Sequence, residues 1–218
     1  KSRRSAGMLV KLMKLVKIIA PIRIVNSMAV VRVLSISTSI SNLGVKDLNW
    51  ELYEDSLMNN TITADWLDNF DSYTLGSING QGGWKGWFND PAGAGVVTDV
   101  MALSGTQSQA IAGAADSVHE YSGYTTGFWS YKAMQYIPID FTGETMFILM
   151  NSYDDAGTNL NWSTQVTFNG STNLVVNSGV TIATLPLIRG QWVEIRVDID
   201  LLNNTQSFFY GGNLLYTG

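Results

Sequence analysis

The most regular hydrophobic pattern in the chain lies near its end. In WVEIRVDIDL, the residues Val193, Ile195, Val197, Ile199 and Leu201 alternate with Trp192, Glu194, Arg196, Asp198 and Asp200. One face is apolar and the other polar, as in a strand buried on one side. Asn203 to Gln206 (NNTQ) then turn the chain into SFFY, and Gly211 with Gly212 turn it into NLLY, which predicts two successive hairpins. Upstream, WSTQVTF sets Trp162, Thr164, Val166 and Phe168 against Ser163, Gln165 and Thr167 and reads as an outer strand. TMFILM, Thr145 to Met150, is apolar on both faces and reads as a central one. The body carries no convincing helical period and no internal repeat. Many antiparallel strands joined by Gly and Asn turns predict an all-β fold of two packed sheets.

Composition agrees with this pattern. A chain of 218 residues with 45% hydrophobic residues can bury a substantial core, and only 14% of its residues are charged. It has no cysteine, which removes disulfides, thiolate metal sites and a cysteine nucleophile from consideration. Charge divides the chain in two. Residues 1–46 hold nine Lys or Arg and no acid, a balance of +9, whereas residues 47–218 hold four cations against all eighteen acids, a balance of −14. An acidic body repels phosphates, so nucleic acid is not an expected partner.

In the basic head, Lys11, Lys14 and Lys17 followed by Ile18 and Ile19 imitate an export signal. Pro21, Arg23 and Arg32 interrupt its apolar run, which falls short of the roughly 18 residues of a stable transmembrane span. The same composition fits a transit peptide, a surface-lying amphipathic helix or upstream sequence without a role. The expected organisation is a basic targeting-like or non-domain segment over 1–46, outside the sandwich, a linker over 47–67, and a folded domain over 68–218.

Four stretches of that domain, DNFDSYTLGS, GQGGWKGWFND, YIPIDFTG and QWVEIRVDIDLLNNTQSFFYGGNLL, resemble the concanavalin A-like lectin/glucanase superfamily, in particular the laminin-G-like jelly-roll domains of bacterial secreted proteins. The most specific part is the last, a Trp-initiated strand, an acidic and polar turn and a Tyr-Gly-Gly hairpin. The resemblance implies an antiparallel two-sheet jelly-roll sandwich with its first and last strands side by side. On that reading the chain stops at Gly218 short of a closing strand. It also implies an extracellular or cell-surface setting, a carbohydrate or cell-surface glycan as partner, and membership of a larger multidomain surface protein.

Candidate ligand chemistry centres on Trp84 and Trp87. Three residues apart on a strand, they face opposite sides, one to the core and one outward, whereas a bulge at Gly86 puts both on one side as a stacking platform. Trp87, beside Asn89 and Asp90, is the outward candidate, because an aromatic face with neighbouring amide and carboxylate groups suits a sugar ring. Tyr121 and Tyr124 complete the candidate ligand set. Asp154, Asp155, Asn159 and Asn161 in NSYDDAGTNLNW offer the oxygen ligands that Ca²⁺ prefers, against the plainer reading of a solvated turn. His119 is the single histidine, too few for a zinc site, and reads as structural.

Glucanases of the resembling superfamily carry two catalytic carboxylates on a strand motif of the type Glu-x-Asp-x-x-Glu. Here Glu194, Asp198 and Asp200 are the nearest counterparts, with the second Glu missing and Arg196 among them. The residues therefore favour a non-catalytic binding module, with a glycan-active hydrolase of atypical acidic site and a purely structural adhesive domain as the alternatives.

Overall fold

The computed structural model describes residues 9–13, 17–26, 66–179 and 181–218, the first two stretches by backbone alone. In chain order the strands are β1 (Leu9–Met13), β2 (Lys17–Asn26), β3 (Trp66–Asp68), β4 (Gly76–Ser77), β5 (Trp84–Gly86), β6 (Val96–Thr98), β7 (Ser108–Ile111) and β8 (Asp116–Glu120). They continue with β9 (Phe128–Tyr136), β10 (Glu144–Ser152), β11 (Asn161–Asn169), β12 (Leu174–Asn177), β13 (Thr184–Pro186), β14 (Trp192–Asp200), β15 (Thr205–Tyr210) and β16 (Asn213–Thr217). No α-helix occurs among the described residues. The strands form two antiparallel sheets. The first runs β13-β12-β11-β10-β1-β8-β5, and the second β16-β15-β14-β9-β2-β7-β6-β4, with β3 also paired to β2.

The two sheets pack face to face through aromatic rings. Phe147 of the first sheet lies 5.5 Å from Tyr131 and 5.8 Å from Phe208 of the second, and Phe168 lies 5.5 Å from Tyr210, centroid to centroid. These offset and tilted contacts are the favoured geometry for buried rings. β14 carries the predicted alternation: Val193, Ile195 and Val197 are buried, and Glu194, Arg196 and Asp198 look out. The turn after it is fixed by Asp200, whose Oδ1 accepts from the N–H groups of Leu202 and Asn203 at 2.9 and 3.0 Å. Both predicted hairpins, β14–β15 and β15–β16, are present.

β10 is apolar on both faces as expected. Phe147 and Leu149 enter the core, while Ile148 and Met150 lie under a smaller outer cluster with Val118. β11 departs from expectation twice. It lies inside the sheet between β10 and β12, and its register shifts so that Leu149 faces Thr164 while Met150 faces Trp162. Trp162 therefore leaves the face of Thr164, Val166 and Phe168 and stands 40% exposed. A bulge moves every residue beyond it to the other side.

Two strands of the basic head take positions within the sheets. β1 pairs with β10 and β8, and β2 pairs with β9, β7 and β3. This differs from the expectation of a head wholly outside the sandwich. Pro21, which argues against a strand, falls where the β2–β9 register shifts between Ile19 and Ile22, and an irregularity is where a sheet tolerates a missing N–H. The rest of the head and the 47–65 part of the predicted linker lie outside the described residues.

Candidate functional site

β5 is only three residues long, and it divides the two tryptophans. Trp84 pairs with His119 of β8 and points into the core, where it is 1% exposed. Its Nε1 donates to Oδ2 of the buried Asp68 at 2.8 Å. That carboxylate also accepts from Tyr73 Oη at 2.5 Å and from the Phe70 N–H at 2.9 Å. The strand then ends at Gly86, where a Cβ would meet the Asp90 carbonyl oxygen at 1.9 Å and the Ala94 nitrogen at 2.8 Å. No residue with a side chain fits there.

Beyond Gly86 the chain makes a 3₁₀ turn over Trp87–Asn89 and a second over Pro91–Gly93, capped by Asp90, whose Oδ1 accepts from the Ala92 N–H at 3.0 Å. Trp87 thus faces outward, not as the next alternate position of a strand but as the first residue of this turn. Phe88 (φ 56°, ψ 29°) and Asn89 (φ 58°) are both left-handed. For a bulky residue such as Phe88 that backbone is costly, on the order of 1–2 kcal/mol. What it achieves is presentation: the Phe88 ring is 46% exposed.

Tyr153, at the far end of β10, completes a three-ring surface. Its ring centroid lies 4.8 Å from that of Trp87, Trp87 lies 4.9 Å from Phe88, and Tyr153 Oη accepts the Phe88 N–H at 2.8 Å. Gly157 closes the far side, since a Cβ there would come within 3.0 Å of the Phe88 ring. Trp87 and Tyr153 rest on the outer cluster of Val118, Ile148 and Met150, so the platform is backed by packed hydrocarbon.

Charge borders the rings. Lys85 Nζ is 2.6 Å from Glu120 Oε1 and 2.7 and 2.8 Å from the two oxygens of Asp155, and it sits 5.4 Å above the Tyr153 ring. Burial favours loss of its proton, but the hydrogen bonds to Asp155 and Glu120 outweigh this and hold the ammonium above its ordinary pKa. Burial and the neighbouring Asp155 push the Tyr153 phenol upward as well, so both groups keep their protons at neutral pH.

The candidate ligand residues divide. Trp87, Asn89 and Asp90 share this surface turn, whereas Tyr121 is 6% exposed in the core against Trp66, His119 and Tyr131. Tyr124 packs edge-on against Trp129 at 4.7 Å and is half-buried beside Tyr121. The four loop residues do not converge either. Asp154 accepts from the Thr158 N–H at 2.9 Å and Thr158 Oγ1 at 2.8 Å, which draws its pKa below the ordinary value. Both Asp155 oxygens are on Lys85, Asn159 accepts from Ser152 Oγ at 3.2 Å, and Asn161 begins β11. Among the described residues no three His, Cys, Asp or Glu groups gather as a metal site, and the ammonium of Lys85 lies where a cation of this loop would have to bind Asp155.

His119 is held by Trp66 and Trp84, with ring centroids at 4.8 and 5.0 Å, by Tyr121 at 4.4 Å, and through Nε2 by the Gly82 carbonyl at 3.0 Å. Burial lowers its pKa. On the outer face of β14 each carboxylate has its own partner. Asp198 receives Ser130 Oγ at 2.5 Å and lies 3.3 Å from Arg196 Nε, Glu194 is 4.0 Å from Lys132 Nζ, and Asp200 caps its turn.

The sequence reading missed Phe88, Tyr153, Lys85 and Glu120. Their contacts span 35 to 70 positions, a separation at which no local pattern signals contact. Comparison with protein-family models, curated proteins and solved structures finds no match for this chain.

Proposed function

We propose that this chain is a non-catalytic carbohydrate- or cell-surface-binding module, a jelly-roll domain of the concanavalin A-like kind working at a cell surface or outside the cell. The observation that carries the reading is the Trp87–Phe88–Tyr153 surface, with its exposed ring held on a left-handed backbone. A half-exposed hydrophobic ring on a left-handed backbone gains little stability for its strain, and strain of this sort persists only where the surroundings over-determine it. Flat aromatic faces match the apolar face of a pyranose, and the adjoining Asn89, Asp90 and Asp155 supply groups for its hydroxyls. No helix among the described residues is long and apolar enough to cross a membrane.

The hydrolase alternative draws less support, because Asp198 and Asp200 are bound to separate structural partners instead of facing one scissile bond. An array of glycans, followed by incubation of each bound glycan with the protein, separates the readings. Binding that weakens in Phe88→Ala and Trp87→Ala without new reducing ends is expected. New reducing ends would establish catalysis, and unchanged binding in both variants would remove the platform.

A further inference from the structure

The Phe88 ring is presented by contacts that come from outside its own turn. Tyr153 Oη accepts the Phe88 N–H at 2.8 Å, and the same hydroxyl donates its single proton to the Asp155 carboxylate. With that proton directed at an anion, the oxygen keeps its lone pairs for the Phe88 N–H, so each bond strengthens the other. Asp155 is held in turn by the Lys85 ammonium, which lies 2.7 and 2.8 Å from its two oxygens and 2.6 Å from Glu120 Oε1. Lys85 of β5 stands opposite Val118 of β8, and Glu120 lies two positions further along β8, a diagonal neighbour on the same face. Support therefore runs from the sheet to the loop and from the loop to Phe88. The loop is itself braced: Asp154 accepts from the Thr158 N–H and Thr158 Oγ1, and Gly157 leaves the Phe88 ring the space that a Cβ would fill.

We infer that Tyr153 and Lys85 are positioning residues of the platform: the Tyr153 hydroxyl latches the Phe88 backbone in its left-handed conformation, and Lys85 holds the latch by fixing Asp155. The role rests on the reading of the platform as a binding surface. A left-handed backbone is costly for a residue as bulky as Phe88 (φ 56°), so a turn released from restraint relaxes and its ring leaves the presenting position. The bond to Tyr153 acts on that backbone directly. Lys85 acts at one remove, because without its cation two carboxylates that shared one nitrogen face each other, and their repulsion drives Asp155 and the Tyr153 hydroxyl from their places. A surface assembled before its ligand arrives loses less binding energy to ordering, and affinity falls in proportion to the fraction of molecules still in the presenting form.

The test is hydrogen exchange of the full chain, read by NMR at the Phe88 amide and at the amide of Val197 in the middle of β14, together with binding to the glycan array. Tyr153→Phe keeps the ring and removes only the hydroxyl. It should speed exchange at Phe88 about tenfold, leave Val197 unchanged and weaken glycan binding about tenfold. Lys85→Met should shift both readings in the same direction by about threefold, and Lys85→Arg, which restores a cation able to meet both carboxylates, should return them to within about twofold of the parent protein. The inference is overturned if exchange at Phe88 is unchanged in Tyr153→Phe, if Val197 speeds up in step with it, which marks a general loss of stability, if the parent's glycan binding survives Tyr153→Phe undiminished, or if Lys85→Arg fails to restore what Lys85→Met removes. A parent protein that binds no glycan while Tyr153→Phe still speeds exchange at Phe88 removes the binding reading and leaves the latch standing.

Discussion

Removing the indole of Trp84 should damage this protein through two separable losses. The side chain is 1% exposed and packs on Phe70 at 5.9 Å and His119 at 5.0 Å. Truncation of a buried Trp to Ala costs about 3–5 kcal/mol through lost transfer energy and the cavity left behind. The second loss is electrostatic. Asp68, 7% exposed, accepts from Trp84 Nε1, and a buried carboxylate that loses a donor costs about 1–3 kcal/mol more. Trp84→Phe separates the two in part, since it keeps a ring in the core while removing the N–H and some of the indole volume, so it should cost less than Trp84→Ala but no less than the about 1–3 kcal/mol of the lost donor. Trp87→Ala, which uncovers one side of the outer cluster, should cost about 1–2 kcal/mol. Against a total stability of about 5–15 kcal/mol, Trp84→Ala alone is expected to unfold a large part of the population. Urea denaturation followed by tryptophan-independent circular dichroism reads all three variants. If Trp87→Ala costs as much as Trp84→Ala, the core and surface assignments are wrong. If Trp84→Phe is neutral, neither the bond to Asp68 nor the lost part of the indole contributes to stability.

Two further outcomes follow from the same core and from the head. His119 has a folded-state pKa below its ordinary value, chiefly through burial, so the unfolded chain takes up a proton first as pH falls. Its contribution is complete above the unfolded value of about 6.5 and is lost as pH drops from there through the depressed folded value; the urea midpoint should fall between pH 7 and pH 5, and His119→Gln should flatten that slope if the imidazole is its source. Deleting residues 1–46 removes β1 from between β8 and β10 and β2 from between β7 and β9, so the shortened chain should lose its cooperative melt; a truncated protein that melts as sharply and as high as the full chain would show that residues 68–218 complete the sandwich without the head.

Burial on one face was what made the fold legible. β14 could be read residue by residue because its inner positions are all apolar and its outer ones after Trp192 all charged, and Asn and Gly marked the turns that follow. β10 was recognisable because both its faces are covered, one by the opposite sheet and one by Trp87 and Tyr153. Trp162 was assigned to the wrong face because alternation holds only while the register holds, and the β10–β11 pairing shifts beside it. In the head, Pro21 and the scattered cations obscured strands whose pairing is set by neighbours far along the chain.

The candidate site was half legible for a related reason. That one tryptophan of the pair goes in and the other out follows from a short strand, and Trp84 and Trp87 do separate in this way. The means differ, however. Gly86 is needed because the Asp90 carbonyl and the Ala94 nitrogen press on it, and this close approach, not strand alternation, releases Trp87 from the sheet. The partners that then make a surface of it, Phe88 by strain, Tyr153 by a hydrogen bond and Lys85 by two carboxylates, come from three segments joined only by folding. The same closure bears on the acidic loop, whose composition offers oxygen ligands for calcium against the plainer reading of a solvated turn: folding places a lysine from β5 against Asp155. Asp155 on that loop is paired with Lys85 from within the chain, and the exposed Phe88 ring stands beside it.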